Sequence, residues 1–526
     1  MKRSSGILMP VSSLPSPYGI GTLGQEARNF VDFLEAAGQG WWQMLPVGHT
    51  SYGDSPYQCP SSFAGNPYFI DLDELIADGL LTQEEVDAVN WGDDPQYVDY
   101  GAIYENRFRL LAKATERGFE RDREAFEAFS AQNPWLAEYS LFMAIKKSFG
   151  MISWVDWPDE GLRRRNRESL ECARRELADD VRLYSYIQFL FFKQWNALRD
   201  YAHAHGVKII GDLPIYVALD SADVWAETVN FRLGDDLKPK EVSGVPPDYF
   251  NEDGQLWGNP LYNYDFMRWD GYGWWIRRID GAAKLYDVIR IDHFRGFESY
   301  WAVPFGETTA RNGHWVKGPG LDLIDRLKGW FRNVEFIAED LGFATPEVEA
   351  MLKGSGFPGM RVLQFAFDNK KPGDYLPHNQ IENCVCYTGT HDNATLMEWL
   401  GEAPESNLRL VKEYLGLPAD AKPEELADAL LRAGMSGPAK LFVSPLSDWL
   451  CLGAEAKLNV PGTLGWWRWR LQKGQITPQL AQRIARMTKL YGRAELELPQ
   501  TDETGAYPPE IDEDALYWPD YPFRKK

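Results

Sequence analysis

The sequence Tyr286-Asp287-Val288-Ile289-Arg290-Ile291-Asp292-His293-Phe294-Arg295-Gly296 combines a short apolar run with several charged residues. Its apolar centre, Val288–Ile291, predicts a short buried strand that runs directly into charged residues at its C-terminal end. Because side chains alternate along a strand, Arg290 and Asp292 share one face and the isoleucines share the other. Unpaired charge is costly in a core, so the pattern predicts a barrel strand with one face toward a polar mouth. The alternative is a structural ion pair.

The composition is typical of a globular protein, with 526 residues of which 44% are hydrophobic and 25% charged. The length allows one large domain with insertions or several smaller ones. A net charge of −22 and a pI near 4.9 argue against nucleic acid and anionic membranes as partners, because both require basic patches. The 21 Trp and 25 Tyr residues fit core packing in part, but in polar loops they also form flat platforms for sugar rings or other ligands.

Five cysteines form no spaced framework, which favours a reduced, cytoplasmic setting: Cys59, Cys172, Cys384, Cys386 and Cys451. Cys384 and Cys386 lie in an apolar strand pattern without a second ligand pair, so zinc is not expected. The N-terminus lacks the apolar run of a signal peptide, and no stretch is long enough to span a membrane. We expect neither a metal nor a cofactor.

Strand patterns recur along the chain, and helical patterns separate most of them. Strands are predicted at residues 7–11, 41–47, 207–212, 288–292, 334–339, 362–367, 383–388 and 440–446, and helices at 26–37, 186–205, 274–285 and 321–331. The β-α-β spacing of the first elements implies parallel strands with a right-handed crossover. The fold class is therefore α/β, a (β/α)8 TIM barrel with helical and loop insertions over the C-terminal face of the strands.

A single catalytic domain is expected to span residues 1–526. Within it, the charged helical pattern at about 72–183 predicts an insertion subdomain that covers part of the barrel's upper face. A Pro-, Gly- and Asn-rich segment at about 243–264 predicts a mobile lid or substrate loop. The acidic, Tyr-rich tail at about 493–526 has little periodicity, and we expect it to pack on the surface or to fray.

Four strands end in or just before a carboxylate, at Asp212, Asp292, Glu339 and Asp392. In a barrel these ends converge at one mouth. Carboxylates without a Gly-rich phosphate loop, a Cys nucleophile or a Ser triad indicate glycosidic-bond chemistry, which needs one ionised nucleophile and one protonated acid. Arg290 is expected to keep Asp292 ionised. The apolar approach to Glu339 is expected to raise its pKa, as a general acid requires.

Histidines adjoin two of these carboxylates. His293 and His391 each stand next to an aspartate, which favours contact with sugar hydroxyls, although a lone histidine usually only satisfies local hydrogen bonds. For Glu339 and Asp340 the alternative is a helix cap or a surface pair. Neither His-x-x-x-His nor Asp-x-Asp-x-Asp-Gly spacing occurs, so the sequence gives little support for a metal site formed by these histidines and carboxylates.

Further motifs extend the pattern over positions 7 to about 492. They are Ser13-Leu14-Pro15-Ser16-Pro17-Tyr18-Gly19-Ile20-Gly21, Tyr52-Gly53-Asp54-Ser55-Pro56-Tyr57-Gln58, Gly211-Asp212-Leu213-Pro214-Ile215-Tyr216-Val217, Gly244-Val245-Pro246-Pro247-Asp248-Tyr249-Phe250, Trp257-Gly258-Asn259-Pro260, Ala338-Glu339-Asp340-Leu341-Gly342 and Gly389-Thr390-His391-Asp392-Asn393. With the opening stretch, they resemble the amylomaltase family, the 4-α-glucanotransferases or disproportionating enzymes of glycoside hydrolase family 77 in the α-amylase clan.

The resemblance implies Asp292 as nucleophile, Glu339 as acid/base and Asp392 as the carboxylate that holds and distorts the sugar. The substrate-binding candidates are Arg290, His293, His391, Asp212, Tyr57, Ser55, Tyr249, Phe250, Trp257 and Tyr52. The implied substrates are malto-oligosaccharides, starch or glycogen-type glucans, handled by a monomer or weak homo-oligomer. The sequence departs from the family at Trp466-Trp467-Arg468-Trp469-Arg470, where Asn-Trp usually precedes the Arg, and in the acidic tail.

Three functions remain open at this point. The first is transfer of an α-1,4-glucan segment by double displacement, the second is plain hydrolysis by the same carboxylates, and the third is non-catalytic starch binding. Transfer requires that a sugar hydroxyl rather than water intercepts the glycosyl-enzyme. Tyr249, Phe250 and Trp257 are predicted to exclude water and to stack an acceptor glucose, with loop packing as the alternative.

Overall fold

Eight parallel strands form the central sheet of this computed structural model, which describes residues 2–51, 53–247, 251–342, 345–368 and 373–495. The strands in chain order are β1 Ser4–Leu8, β2 Trp41–Gln43, β3 Lys208–Leu213, β4 Glu241–Val245, β5 Gln255–Pro260, β6 Val288–Ile291, β7 Ser299–Pro304, β8 His314–Lys317, β9 Glu335–Ala338, β10 Gly359–Val362, β11 Cys384–Tyr387 and β12 Leu441–Pro445. The central sheet has the order β10-β11-β12-β1-β2-β3-β6-β9. Ala338 at one edge donates its backbone N–H to the Pro358 carbonyl at the other, at 2.9 Å. The sheet thus nearly closes, and the predicted (β/α)8 barrel is confirmed.

Helices surround the sheet and supply most of the connections between its strands, whereas the described residues between β10 and β11 form only 3-10 turns. They are α1 Gln25–Ala36, α2 Leu72–Ala77, α3 Gln83–Asp87, α4 Tyr100–Gly118, α5 Arg123–Gln132, α6 Trp135–Ser148, α7 Glu160–Arg163, α8 Arg167–Glu176, α9 Ala178–Ala204, α10 Ala222–Ala226, α11 Tyr264–Trp269, α12 Gly273–Leu285, α13 Leu321–Trp330, α14 Pro346–Ser355, α15 Leu396–Glu402, α16 Glu405–Leu415, α17 Pro423–Ser436, α18 Leu446–Trp449 and α19 Pro478–Leu490. Predicted helices match α1, α9, α12 and α13, although α9 begins earlier than predicted. Within the ranges given above, none of the helices is both long and apolar enough to cross a membrane.

The first β-α-β unit shows how the apolar pattern builds the barrel wall. Phe30 of α1 is buried, and its ring meets that of Trp42 on β2 edge to face, with centroids 4.8 Å apart. The Trp42 indole N–H donates to the Met9 carbonyl after β1 at 2.8 Å. One aromatic side chain therefore ties a helix and two adjacent strands together, as the predicted helical spacing requires.

The sixth barrel strand lies earlier in the chain than predicted. The prediction placed it at residues 362–367, whereas β10 is Gly359–Val362 and a 3-10 turn follows at Leu363–Phe365. Leu363 and Phe367 are nevertheless fully buried. A short apolar run marks burial and does not distinguish a strand from a buried turn, so the prediction of this strand was wrong.

A second sheet lies outside the barrel and was not foreseen. Strands β4, β5, β7 and β8 pair antiparallel in the order β5-β4-β7-β8. Part of the segment predicted as a substrate loop, residues 243–264, thus consists of strands. Prolines 246 and 247 and a left-handed Gly254 interrupt the alternation between them, which removes the periodic signal of a hairpin.

Replacing Gly211 on β3 with alanine should destabilise the barrel. A Cβ at this position would lie 2.1 Å from the ring of Tyr286, which packs flat against the strand. We expect a loss of about 1–3 kcal/mol in the free energy of unfolding, as overpacking of a buried site costs. Chemical denaturation measures it. Gly40→Ala is the matched control, because a Cβ there meets no atom within 4 Å; equal stability of both variants would contradict the packing described.

Candidate active site

A buried guanidinium organises the C-terminal mouth of the barrel. Arg290 on β6 donates through Nη1 to both carboxylate oxygens of Asp212 on β3, at 2.6 Å each, and to Oδ1 of Asp292 at 3.1 Å. The Asp212 and Arg290 side chains are almost fully buried, whereas the Asp292 side chain keeps 25% of its surface exposed. Of these three groups, Asp292 is therefore the one that an incoming ligand reaches.

The ionisation of Asp292 differs from the sequence-based expectation. Burial raises the pKa of Asp292 well above its ordinary value, the Arg290 guanidinium lowers it, and the charges of Asp212 and Glu339 raise it further. The expectation counted only Arg290. Burial and the neighbouring carboxylates oppose that cation, so the mouth as a whole takes up a proton more readily than isolated carboxyls do.

Glu339 lies directly after β9, which is two strands along the sheet from β3 and Asp212. The backbone N–H groups of His293 and Leu341 each donate to one of its carboxylate oxygens at 2.7 Å. Burial raises the pKa of Glu339 to about 7, although Arg290 and these two amides lower it. The predicted rise in pKa is thus present, and Glu339 exchanges its proton near neutral pH. It is neither a helix cap nor a surface residue.

Asp340, the neighbour of Glu339, has a structural role. One of its oxygens accepts the backbone N–H of Met360 at 2.6 Å, and the other accepts Nη1 of Arg361 at 3.0 Å. Both partners lie on β10, on the far side of the gap between the two edge strands. Asp340 therefore fixes the end of β9, and with it Glu339, to the next strand.

Tyr57 forms hydrogen bonds with both Asp212 and His391, which lie on opposite sides of the mouth. Its hydroxyl donates to Oδ2 of Asp212 at 2.8 Å and lies 2.7 Å from Nε2 of His391. Since the hydroxyl has one proton, it must accept the Nε2–H of His391, which fixes the tautomer of that ring. Burial lowers the pKa of His391, which agrees with a neutral ring. The Tyr57 and His391 rings also stack, with centroids 5.5 Å apart.

Asp392 is the third predicted carboxylate and is partly open to solvent, with 39% of its side chain exposed. Its Oδ1 accepts Nδ2 of Asn459 at 2.6 Å, and its Oδ2 lies 3.4 Å from Nε2 of His391. Sequence reasoning missed Asn459 as a site residue. The available signal was its position at the head of Asn459-Val460-Pro461-Gly462-Thr463, the segment that leads into the departure from the family pattern.

The remaining candidates divide into those near the carboxylates and those that are not described. Trp257 on β5 meets His293, the residue that follows Asp292, edge to face with ring centroids 4.7 Å apart. Burial lowers the pKa of His293 to about 3, so its ring is neutral. Ser55 accepts the Tyr57 N–H through its Oγ at 3.2 Å and so shapes the loop that carries Tyr57. Tyr52, Tyr249 and Phe250 lie outside the described residues.

Taken together, the mouth carries a partly exposed aspartate beside a cation, a buried glutamate that exchanges a proton near pH 7, and a second exposed aspartate. This set suits proton transfer and nucleophilic attack at one acetal carbon. Within the part of the chain that the structure describes, no three His, Cys, Asp or Glu side chains are grouped so as to hold a metal ion.

Several known proteins with similar sequences are named 4-alpha-glucanotransferase. The family model of glycoside hydrolase family 77, described as 4-alpha-glucanotransferase, matches residues 9–477. A 4-alpha-glucanotransferase from Clostridium butyricum is 46% identical over 493 residues, which cover 93% of this chain and 100% of the relative. A 4-alpha-glucanotransferase from Thermus thermophilus is 45% identical over 503 residues, which cover 93% of this chain and 99% of the relative.

Solved structures agree with these sequence matches. An amylomaltase from Streptococcus agalactiae in complex with acarbose superimposes with a TM-score of 0.91 at 37% identity, covering 94% of this chain and 100% of that one. The amylomaltase from Corynebacterium glutamicum superimposes with a TM-score of 0.71 at 19% identity, covering 93% of this chain and 74% of that one. The second match supports the fold alone.

Glu339 should lose its proton as the pH rises through about 7. Burial raises its pKa, so the protonated form predominates below that pH and the carboxylate above it. Difference infrared spectra between pH 6 and pH 8 should show a carboxylic acid band that disappears with rising pH. Glu339→Gln should remove this titration, and Glu335→Gln, at the exposed start of the same strand, should keep it. Persistence of the titration in Glu339→Gln would assign it to another carboxyl group.

Proposed function

The chain belongs to the 4-alpha-glucanotransferase family, glycoside hydrolase family 77, and we propose that it performs its transfer of α-1,4-glucan segments with Asp292 as nucleophile, Glu339 as acid/base and Asp392 as the group that holds the sugar. The activity, glucan transfer by a retaining double displacement, is that of the family. The observation that carries the assignment is the contact of Arg290 with Asp292. The pKa values of Asp292 and Glu339 are both raised, and this contact with a cation distinguishes Asp292, the nucleophile, from Glu339, the acid/base.

In the first step, an oxygen of Asp292 attacks the anomeric carbon of the donor sugar. Arg290 contacts Oδ1, so Oδ2 is the oxygen directed at the sugar. Glu339 donates its proton to the glycosidic oxygen, and the shortened glucan departs. Asp292 accepts a hydrogen bond directly from the Arg290 cation, whereas Glu339 accepts only neutral backbone N–H groups. We therefore place the shared proton of this coupled pair on Glu339. A covalent glycosyl-enzyme results, with inverted configuration at the anomeric carbon.

In the second step, Glu339 is a carboxylate and acts as the base. It takes the proton from a hydroxyl of the acceptor glucan as that oxygen attacks the anomeric carbon and Asp292 leaves. The two inversions together retain the configuration. The backbone amides of His293 and Leu341 lower the pKa of Glu339, so its carboxylate is ionised and available as the base when the acceptor arrives.

We propose that the Tyr57 network forms the floor under the reacting sugar. Stacking on His391 fixes the orientation of the Tyr57 ring, and we propose that the part of the ring that His391 leaves uncovered contacts the sugar. Asp392, together with His391, offers polar atoms to sugar hydroxyls. Asp212 and Arg290 are too deeply buried for wide contact, and their part is to fix Asp292 and Tyr57.

Transfer rather than hydrolysis requires that an acceptor sugar outcompetes water for the glycosyl-enzyme. We propose that Trp257 supplies an acceptor surface, supported by its place beside His293 and its half-buried ring. Tyr249 and Phe250 stay proposals on sequence grounds. The activity names of the relatives disfavour plain hydrolysis and non-catalytic starch binding. The three carboxyls at the mouth also disfavour the non-catalytic alternative.

Four further features are proposals. One catalytic domain spans residues 1–526, with a helical insertion at about 72–183, a substrate loop at about 243–264 and a tail at about 493–526. Malto-oligosaccharides, starch and glycogen-type glucans are the substrates, without nucleic acid or membrane partners. The protein acts as a monomer or weak homo-oligomer. A cytoplasmic location is supported by five cysteines that are all free thiols.

Asp292→Asn should abolish transfer while the fold survives. The amide is nearly isosteric but cannot form the glycosyl ester, so activity should fall below about 1% of the wild type. The assay supplies maltotriose alone and follows glucose plus a ladder of longer oligomers, with melting temperature as the measure of folding. Asp280→Asn, an exposed carboxylate on α12, is the control. Activity well above that level would remove Asp292 as the nucleophile.

Glu339→Gln should be inactive on maltotriose but able to form the glycosyl-enzyme from α-glucosyl fluoride. Fluoride departs without a proton, so the first step no longer needs the acid. Intact-protein mass spectrometry measures the covalent adduct. Asp292→Asn is the comparison, because it should form no adduct from either donor. Absence of an adduct in Glu339→Gln would show that Glu339 is not the acid.

A further inference from the structure

We propose that Asp448 is a positioning residue for the loop that carries His391 and Asp392. Asp448 lies in α18 after β12, and its side chain binds both ends of that loop. Thr388, which follows β11, donates its Oγ1–H to Oδ2 at 2.6 Å, and Leu396, which begins α15, donates its backbone N–H to Oδ1 at 2.8 Å. The inference rests on the role proposed above for Asp392.

The loop between these two anchors comprises residues 389–395. Inside it, Asn393 Oδ1 accepts the backbone N–H of Thr390 at 2.8 Å and its hydroxyl at 2.9 Å. Gln364 Nε2 donates to the Ala394 carbonyl at 2.9 Å. These contacts shape the interior of the loop, whereas one carboxylate sets the span between its two ends. A change in that span would move His391 and Asp392 together.

The chemistry of the contact specifies a carboxylate. Thr388 and Leu396 both donate, so the side chain between them must accept twice and donate nowhere. An asparagine has one acceptor oxygen, so it would keep the Leu396 contact only if the Thr388 hydroxyl turned from donor to acceptor, and the charge-assisted hydrogen bond to Thr388 would be lost. Asp448 is 1% exposed, and burial raises its pKa to about 6. Burying a carboxyl is costly, and apolar packing would serve a merely structural contact at lower cost.

Asp71 offers a matched control elsewhere in the chain. It also accepts one hydroxyl, Thr22 Oγ1 at 2.6 Å, and one backbone N–H, that of Glu74 at 3.0 Å. Its exposure is 5%. Asp71 caps α2 and has no part in the loop at residues 389–395. Asp71→Asn therefore reproduces the loss of such a contact without displacing His391 or Asp392.

The experiment compares kcat, KM and melting temperature for Asp448→Asn and Asp71→Asn on maltotriose. Both variants should melt earlier by similar amounts. We expect kcat of Asp448→Asn to fall by about 100-fold, as displacement of a reacting-site group by about 1 Å costs, with a smaller change in KM. Asp71→Asn should keep kcat within about twofold. Equal kcat in the two variants at equal loss of stability would overturn the inference.

Thr388 supplies the second arm of the test, which also decides the matter if Asp448→Asn does not fold. Thr388→Val removes the hydroxyl and should lower kcat, whereas Thr388→Ser keeps the hydroxyl and should restore it. Wild-type kcat in Thr388→Val would overturn the inference. Asp392→Asn is measured alongside: if it is active, the proposed role of Asp392 fails, and if it is inactive while Asp448→Asn keeps wild-type kcat, the inference about Asp448 alone fails.

Discussion

The buried contact of Arg290 with Asp212 and Asp292 is the interaction on which this molecule depends. Asp212 and Arg290 face each other across the parallel pair of β3 and β6, so the ion pair belongs to the barrel wall as well as to the site. Losing one partner would leave an uncompensated buried charge, which typically costs about 3–5 kcal/mol. The register of β3 and β6 and the position of Asp292 therefore depend on each other. A register shift would separate Arg290 from Asp212 and would displace Asp292 at the same time.

The other carboxyls at the mouth are fixed by similar means from other strands. Asp340 spans from β9 to β10, which holds Glu339 at the point where the barrel nearly closes. Asn459 reaches Asp392 from the segment after α18. Each group that we assign to chemistry thus has a neighbour whose hydrogen bonds decide where it points. This arrangement explains how short strands and turns place three carboxyls accurately around one carbon atom.

Sequence reasoning succeeded where one physical rule acts alone. Period-two alternation located β6 and its charged end, and the strand-end pattern placed Asp292 and Glu339 together at the barrel mouth. It failed where several rules compete. The apolar run at residues 362–367 marked burial rather than a strand, and the pKa of Asp292 depends on burial and on charges from other strands that its neighbour Arg290 only partly offsets. Asn459 and Asp448 were missed because their significance lies in contacts between distant segments, and the place of Asn459 before the departure from the family pattern was the one sequence signal for either.

The second sheet starts from the active site and contacts it again through Trp257. From His293 the chain passes through a 3-10 turn into β7, β7 pairs with β4, β4 pairs with β5, and Trp257 on β5 returns to contact His293. Two segments distant in sequence, residues 241–260 and 299–317, therefore form one module. Recombination between related enzymes, in the laboratory or in evolution, would need to exchange both segments together to preserve the wall beside the nucleophile. A recombinant that exchanged only one of the two segments would pair strands from different parents, whose side chains were not selected to pack together.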